Sequence, residues 1–391
     1  MNCPGCGLVI LPDIVLEDGQ VFLLHREKKY RLALEDDHPR LIPVEAKKIE
    51  SDELLQVIKL EIPPEEFILR SSREPRERRP ASEAVLEALS KVKQTSGLSV
   101  QDRVFETGII ENSQRSFAMY VVDSGNHRVL CLNARGEQQG FFGGYGQKPG
   151  SFFHPKKIAR DSDGNLWVTD AKNCRLQKFN PNGGFLLETG KSGDEPGDFS
   201  YPAGIFHFQK RLYVADTLNH RIQIFNQDGS LVGCFGQAGE ELGSLNRPYG
   251  ISVEDDGSIW VSEIGQHRLQ KFSAEGDPIF TVGSFGKSPE NLNSPAGLLV
   301  NGEVVVADSG NHALKFFTRQ GKFIRALSGP ELDLNTPMDV LKDPGSKGFW
   351  VVDSWNHRIV RLTMDGRLEF ATGRFGAMSG EFDTPTALMV V

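Results

Sequence analysis

Cysteine is scarce in this chain of 391 residues, with five residues at positions 3, 6, 131, 174 and 234. So sparse and odd a set excludes a disulfide framework of the small secreted kind and points to a reducing, cytoplasmic setting. No apolar run approaches the roughly 18 residues that a bilayer span needs, so no membrane partner is expected. Residues 1–20 lack the basic start and sustained apolar core of a secretory leader, because Pro12 and Asp13 interrupt the one apolar patch. Positive charge is not in excess either. The net charge is −8, of which −3 falls in residues 1–100 and −5 in the remainder. A global electrostatic grip on nucleic acid is thereby disfavoured, and only a local basic face stays open.

Glycine, in contrast, is abundant, and its 41 residues suit many short strands and tight turns. One stretch organises their placement. Asp-Ser-Gly-Asn-His-Arg at 123–128 returns in altered form from Asp170, Asp216, Glu263, Asp308 and Asp353, a period of 45–47 residues. The fourth position is Asn except at Gln266, the fifth His except at Cys174, and the sixth Arg except at Ala313. Repetition at such a period marks a solenoid or a propeller.

Each repeat follows one template. A Pro (155, 202, 248, 295, 337, 385) opens a first strand, and a large side chain three places before the acidic position marks the second. The Asn-His-Arg element opens a third strand, and a Gly thirteen residues after the acidic position (136, 183, 229, 276, 321, 366) turns the chain into a fourth. Several of these turns are Asn-Gly or Asp-Gly, which tolerate the positive φ of a tight hairpin. Four strands in each of six repeats predict an all-β fold, a six-bladed β-propeller over residues 113–391. Repeat one lacks a Pro-led first strand, and residues 385–391 form such a strand with nothing after it. The C-terminal strand is therefore expected to complete blade one and close the ring.

Residues 1–64 read as a small β-rich module, with strand-like runs at 21–24, 30–34 and 54–62. Residues 65–112 read as a charged linker followed by an amphipathic connecting helix at 82–95, on which Val85, Leu89 and Val92 share a face.

The Asp-x-x-Asn-His-Arg motif, at this period and with its Pro-led strand, resembles the NHL-repeat family over roughly 70% of the chain. The resemblance implies the propeller. Function varies among such proteins: ligase substrate-recruiting arms, RNA-binding regulators and an amidating lyase are all built on it. Ligase arms follow a RING with about eight Cys/His ligands. Only Cys3, Cys6, His25 and His38 precede the repeats here, so ligase activity is not expected.

A side-chain set repeated six times is not one active site. The motif acids are expected to bond the turn that follows them, with His and Arg bracing neighbouring blades. The Cys174 and Ala313 departures read as missing rungs of that ladder. Function is expected on the face carrying the motif loops and the loops before each Pro. Candidate binding residues there are Trp355, Tyr249, Lys156, Lys157, Met338 and Asp339, with Leu218 and Ile264 beside them. Trp355 is singled out because the other three Trp residues occupy second strands.

The leading expectation is a non-catalytic scaffold for a protein or peptide. A metal-dependent lyase or lactonase at the channel mouth is the alternative, with His207, Glu254 and Asp339 as its first-strand candidates. RNA binding around Lys156 and Lys157 is the third. Cys3-Pro4-Gly5-Cys6 resembles half of a zinc ribbon, for which His25 and His38 are further candidate ligands; two chains sharing one zinc, as a homodimer through this module, is the other arrangement.

Overall fold

The template converts into sheet because its second strands are apolar throughout and its turns carry glycine. A computed structural model describes the backbone of residues 13–17, 20–25, 28–35 and 38–43, and all of residues 119–391. The N-terminal unit contains a four-stranded antiparallel meander of Asp13–Glu17, Gln20–His25, Lys28–Glu35 and His38–Pro43. The expected runs at 21–24 and 30–34 lie in its second and third strands. The run at 54–62, the linker and the helix at 82–95 lie outside the described residues.

The second unit is the propeller. Six four-stranded antiparallel sheets follow the six repeats, and each pairs its strands in order from the innermost outward. The innermost strands are Pro155–Arg160, Pro202–Phe208, Pro248–Val253, Pro295–Asn301, Pro337–Lys342 and Pro385–Val390, every one opened by the Pro of the template. Pro385–Val390 pairs with Met119–Asp123, with Leu388 opposite Val121, so the two ends of the array share blade one.

Hydrophobic packing lies between blades. Tyr120, Val122 and Phe142 of blade one pack on Ile158, Val168 and Phe179 of blade two. Matching clusters join each later pair, and Met119, Leu130 and Leu388 of blade one meet Trp350 and Ile359 of blade six, which closes the ring. The template's large second-strand residues are buried in every blade, as are Phe152, Phe199, Leu245, Leu292, Leu334 and Phe382 before the inner strands. The six turn glycines have φ between 74° and 94°, where a side chain would be strained. Inner strands approach so closely that a Cβ on Gly204 would collide with the Tyr249 carbonyl. Among the described residues no helix is long and apolar enough to cross a membrane.

Candidate functional site at the loop face and channel mouth

The repeated motif builds the frame of this face. In each blade the buried acid holds the loop that arrives from the blade before. Asp170 accepts the Phe153 N–H (2.6 Å) on one oxygen, and Asn173 (2.8 Å), Arg175 Nε (2.9 Å) and Gln177 (3.0 Å) on the other. Asp123, Asp216, Glu263, Asp308 and Asp353 accept the equivalent N–H groups of Asp383, Ser200, Asn246, Asn293 and Asn335. The acids thus hold the backbone of the preceding loop, because that loop carries amides with no strand partner, and in five repeats they reach the following turn only through its Asn side chain. Arg175 also donates to the carbonyls of Gln147, Lys148 and Ser151 in that loop.

The motif histidines face the other way. With left-handed φ of 52–57°, His127, His220, His267, His312 and His357 each accept, on Nδ1, the N–H of the residue just before the next inner strand. His and Arg therefore brace opposite neighbours. The Ala313 rung is not missing. Lys315, two residues on and opposite Val306, takes over: its Nζ lies 3.1 Å from Asp308 Oδ2 and donates to the carbonyls of Ser288 and Asn291. Three other repeats carry Gln at that place (177, 223, 270). Cys174, however, has no such substitute, and no hydrogen bond is made by the Tyr201 N–H that a histidine there would accept.

Acceptor histidines must be neutral at Nδ1. Burial, reinforced by Lys172 and Lys156, pushes His127 down to about 4; burial also lowers His267 and His357. A folded-state value below the ordinary one means that this stability is fully present above about pH 6.5 and is lost as the pH falls toward 4. For His127 the span corresponds to roughly 3 kcal/mol at most, at about 1.4 kcal/mol per unit. Carboxyls lean the opposite way, since burial raises Asp123 to about 6. A difference measurement separates the two. The melting-temperature advantage of the wild type over His127→Asn, which keeps left-handed φ accessible, is expected to shrink by several degrees between pH 7 and pH 4.5. A constant advantage would show that His127 is not the titrating brace.

The channel itself is plugged at this end. Lys157, Tyr249 and Met338 line a depression in which the remaining space, about 10 Å³, holds roughly one water molecule. Asp339 is fully buried, forms an ion pair with Lys157 across the channel and accepts the Leu388 N–H (3.2 Å). Those four predicted residues are thus together in one place, with Lys157 and Asp339 committed to each other. The enzyme candidates are not together. Glu254 is held by Trp260 Nε1 (2.6 Å) and Lys271 (2.8 Å) in the turn at the opposite end of its strand. His207 lies near the far end of its inner strand, next to Asp161 and Gln227.

Trp355 lies on a short 3-10 turn over Ser354–Asn356 and is half-buried. Its place in the motif is filled elsewhere by Gly125, Lys172, Leu218, Gly265 and Gly310, so large side chains there are shared with Lys172 and Leu218. More exposed rings come from the loops between blades: Tyr145 at 54%, Phe285 at 68% and Phe375 at 68%, seated on His127, His267 and His357 with centroids 5.1, 4.8 and 4.8 Å apart. Leu218 and Met378 add to this apolar surface. Sequence reading missed these rings because they occupy one template position in only three of six loops. That internal comparison was the available signal. Cys3 and Cys6 lie outside the described residues, while His25 ends and His38 begins strands of the N-terminal meander.

The NHL repeat model matches residues 152–179, which form the second repeat and its leading loop. No curated protein matches the chain. Among solved structures, a Bacteroides caccae protein of unknown function is similar at 13% identity and TM-score 0.54, with 70% of this chain and 98% of that one covered. A chain of a nidogen/laminin complex is similar at 16% identity and TM-score 0.53, covering 70% and 97%. A Staphylococcus aureus virginiamycin B lyase aligns at 17% identity and TM-score 0.44, covering 55% and 68%.

Proposed function

Because this chain is an NHL-repeat β-propeller, we propose that it works as a non-catalytic scaffold whose loop face receives a protein or peptide partner. The observation that carries this reading is the exposure of Tyr145, Phe285 and Phe375 on that face. Aromatic rings held by a rigid frame lose little entropy on binding and dominate contact energetics. Their motif histidines and the bracing arginines supply the rigidity. The nidogen/laminin complex is a precedent for this architecture in a protein complex.

The lyase or lactonase reading has less support. A ligand pocket usually offers some 300–1,000 Å³, and the mouth of this channel is filled by side chains. RNA binding through Lys157 is weakened because Asp339 already neutralises it. In this reading the protein acts in the cytoplasm, where Cys131, Cys174 and Cys234 stay free thiols. The N-terminal unit serves as a second contact or dimer interface, with zinc at Cys3, Cys6, His25 and His38.

The test compares partner capture by the wild type and by a Tyr145→Ser, Phe285→Ser, Phe375→Ser variant of matched melting temperature. A defined partner is expected to be retained by the first and reduced at least tenfold by the second. Hydrogen-exchange protection of the captured complex is expected in the loops around 145, 285 and 375. Equal capture by both proteins would overturn the assignment of the loop face.

A further inference from the structure

Around blades two and three the loop face changes character from apolar to cationic. Lys172 is exposed on the motif turn of blade two; its backbone N–H bonds the Phe153 carbonyl (3.0 Å), and its ammonium stands 4.7 Å over the Phe153 ring. Lys156, three residues after Phe153, places its ammonium 5.9 Å over the ring of Tyr201. Among the described residues neither ammonium has a carboxylate within ion-pair distance. Deeper in the blades, Lys157, Lys178, Lys271 and Lys315 each hold one, in Asp339, Asp161, Glu254 and Asp308, while Lys342 donates to the Lys347 carbonyl (2.9 Å).

Other donors at the same place are unfulfilled. Cys174 stands where the other five repeats have His, so the Tyr201 N–H lacks the acceptor its counterparts have. The Tyr249 hydroxyl is buried with no hydrogen-bond partner, and so is Nε of Arg247, which occupies the Tyr201 position one blade on. Donors without acceptors and cations without counter-charges, on the adjoining loops that lead into blades two, three and four, call for an oxyanion.

We infer that Lys156, Lys172 and Tyr201 form the anchor for an acidic side chain, Asp or Glu, of the peptide partner. This rests on the scaffold reading above and names the chemistry of its ligand. The surroundings select a single carboxylate over a phosphate-rich strand. The loops just outside carry exposed Asp194, Glu195, Glu240 and Glu241, which repel a polyanion crossing the face. A carboxylate seated by Lys156 and Lys172 meets two ammonium groups beside the rings of Tyr201 and Phe153. Tyr145, whose ring centroid is 5.2 Å from that of Phe153, then offers an apolar seat for the residue next to the acid.

The experiment uses the full chain in calorimetric titrations at low salt. Its probes are an acetylated, amidated Gly-Phe-Glu-Gly peptide, the Gly-Phe-Gln-Gly peptide of the same form, and sodium phosphate. The glutamate peptide is expected to bind the wild type at least tenfold more tightly than the glutamine peptide. The Lys156→Gln, Lys172→Gln variant is expected to lose that margin. A Lys287→Gln variant, which removes an exposed lysine from the loop leading into blade five on the same face, is expected to keep it. Equal binding of the two peptides, or equal losses in the two variants, overturns the anchor. Phosphate binding at the two lysines without glutamate-peptide binding also overturns it, in favour of a free oxyanion ligand. The peptide comparison on the unmodified chain stands even if a variant unfolds. A captured partner lost with the three aromatic residues but kept by the lysine variant would remove the anchor and leave the loop-face reading intact.

Discussion

Deletion of residues 385–391 is expected to abolish cooperative folding of the propeller. Those residues supply the innermost strand of blade one, and Thr386, Ala387, Leu388 and Met389 are all buried. Full burial of Leu or Met contributes about 1.5–3 kcal/mol each. The ladder to Met119–Asp123 and the Thr386 hydroxyl bond to the Lys156 carbonyl (2.8 Å) add roughly 1 kcal/mol per hydrogen bond. A loss of some 5–8 kcal/mol approaches the whole stability of an ordinary domain, typically 5–15 kcal/mol. The deletion also bares the edge of Met119–Asp123 and one side of the blade-six core, so aggregation is the expected companion. Circular dichroism melts and size-exclusion profiles would show it. A truncated protein that melts cooperatively at the wild-type temperature would mean that the ring does not depend on this closure.

Asp170→Ala is expected to cost about 3–5 kcal/mol, the range for removing one partner of a buried charge pair. The loss would leave Arg175, which is nearly fully buried, without its carboxylate. It would also strip the Phe153 N–H, Asn173 and Gln177 of an acceptor at once. Glu188, at 2.7 Å from Nη1 and itself 40% exposed, would be the carboxylate left to the guanidinium among the described residues. Thermal melts should fall by roughly ten degrees or more, since each kcal/mol moves the midpoint by about 2–4 °C in a domain of this size. Two comparisons sharpen the result. Asp170→Asn keeps acceptor capacity and should lose less, whereas an exposed acid such as Glu195, changed to Ala, should stay within about 0.5 kcal/mol. If Asp170→Ala melted like the Glu195 variant, the motif acids would not be the frame of the loop face.

Much of the fold was legible in the chain because the repeats enforce it. Pro at the head of each inner strand, a buried large residue in each second strand and Gly at each hairpin are local requirements, and all recur in phase. The closing strand could be counted from the template alone. The candidate site was legible only in part. Lys156, Lys157, Tyr249 and Met338 line the depression at the mouth, where Asp339 pairs with Lys157. That Lys157 is spent on Asp339 while Lys156, in the same depression, stands over the Tyr201 ring depends on which side chains meet. Asp339 and Lys157 are 182 positions apart, and no periodicity pairs them. Lys315 likewise substitutes for an absent arginine from a neighbouring position, which a motif read column by column cannot show.

The sequence by itself determined six blades, their strand order and the strand that closes them, because backbone demands at turns and strand heads are local. Only the tertiary structure decided which way each motif residue braces, that the channel mouth is filled, and where donors are left without acceptors. Those outcomes depend on distances between segments far apart in the chain, and a charge is spent or free only once its neighbours are in place.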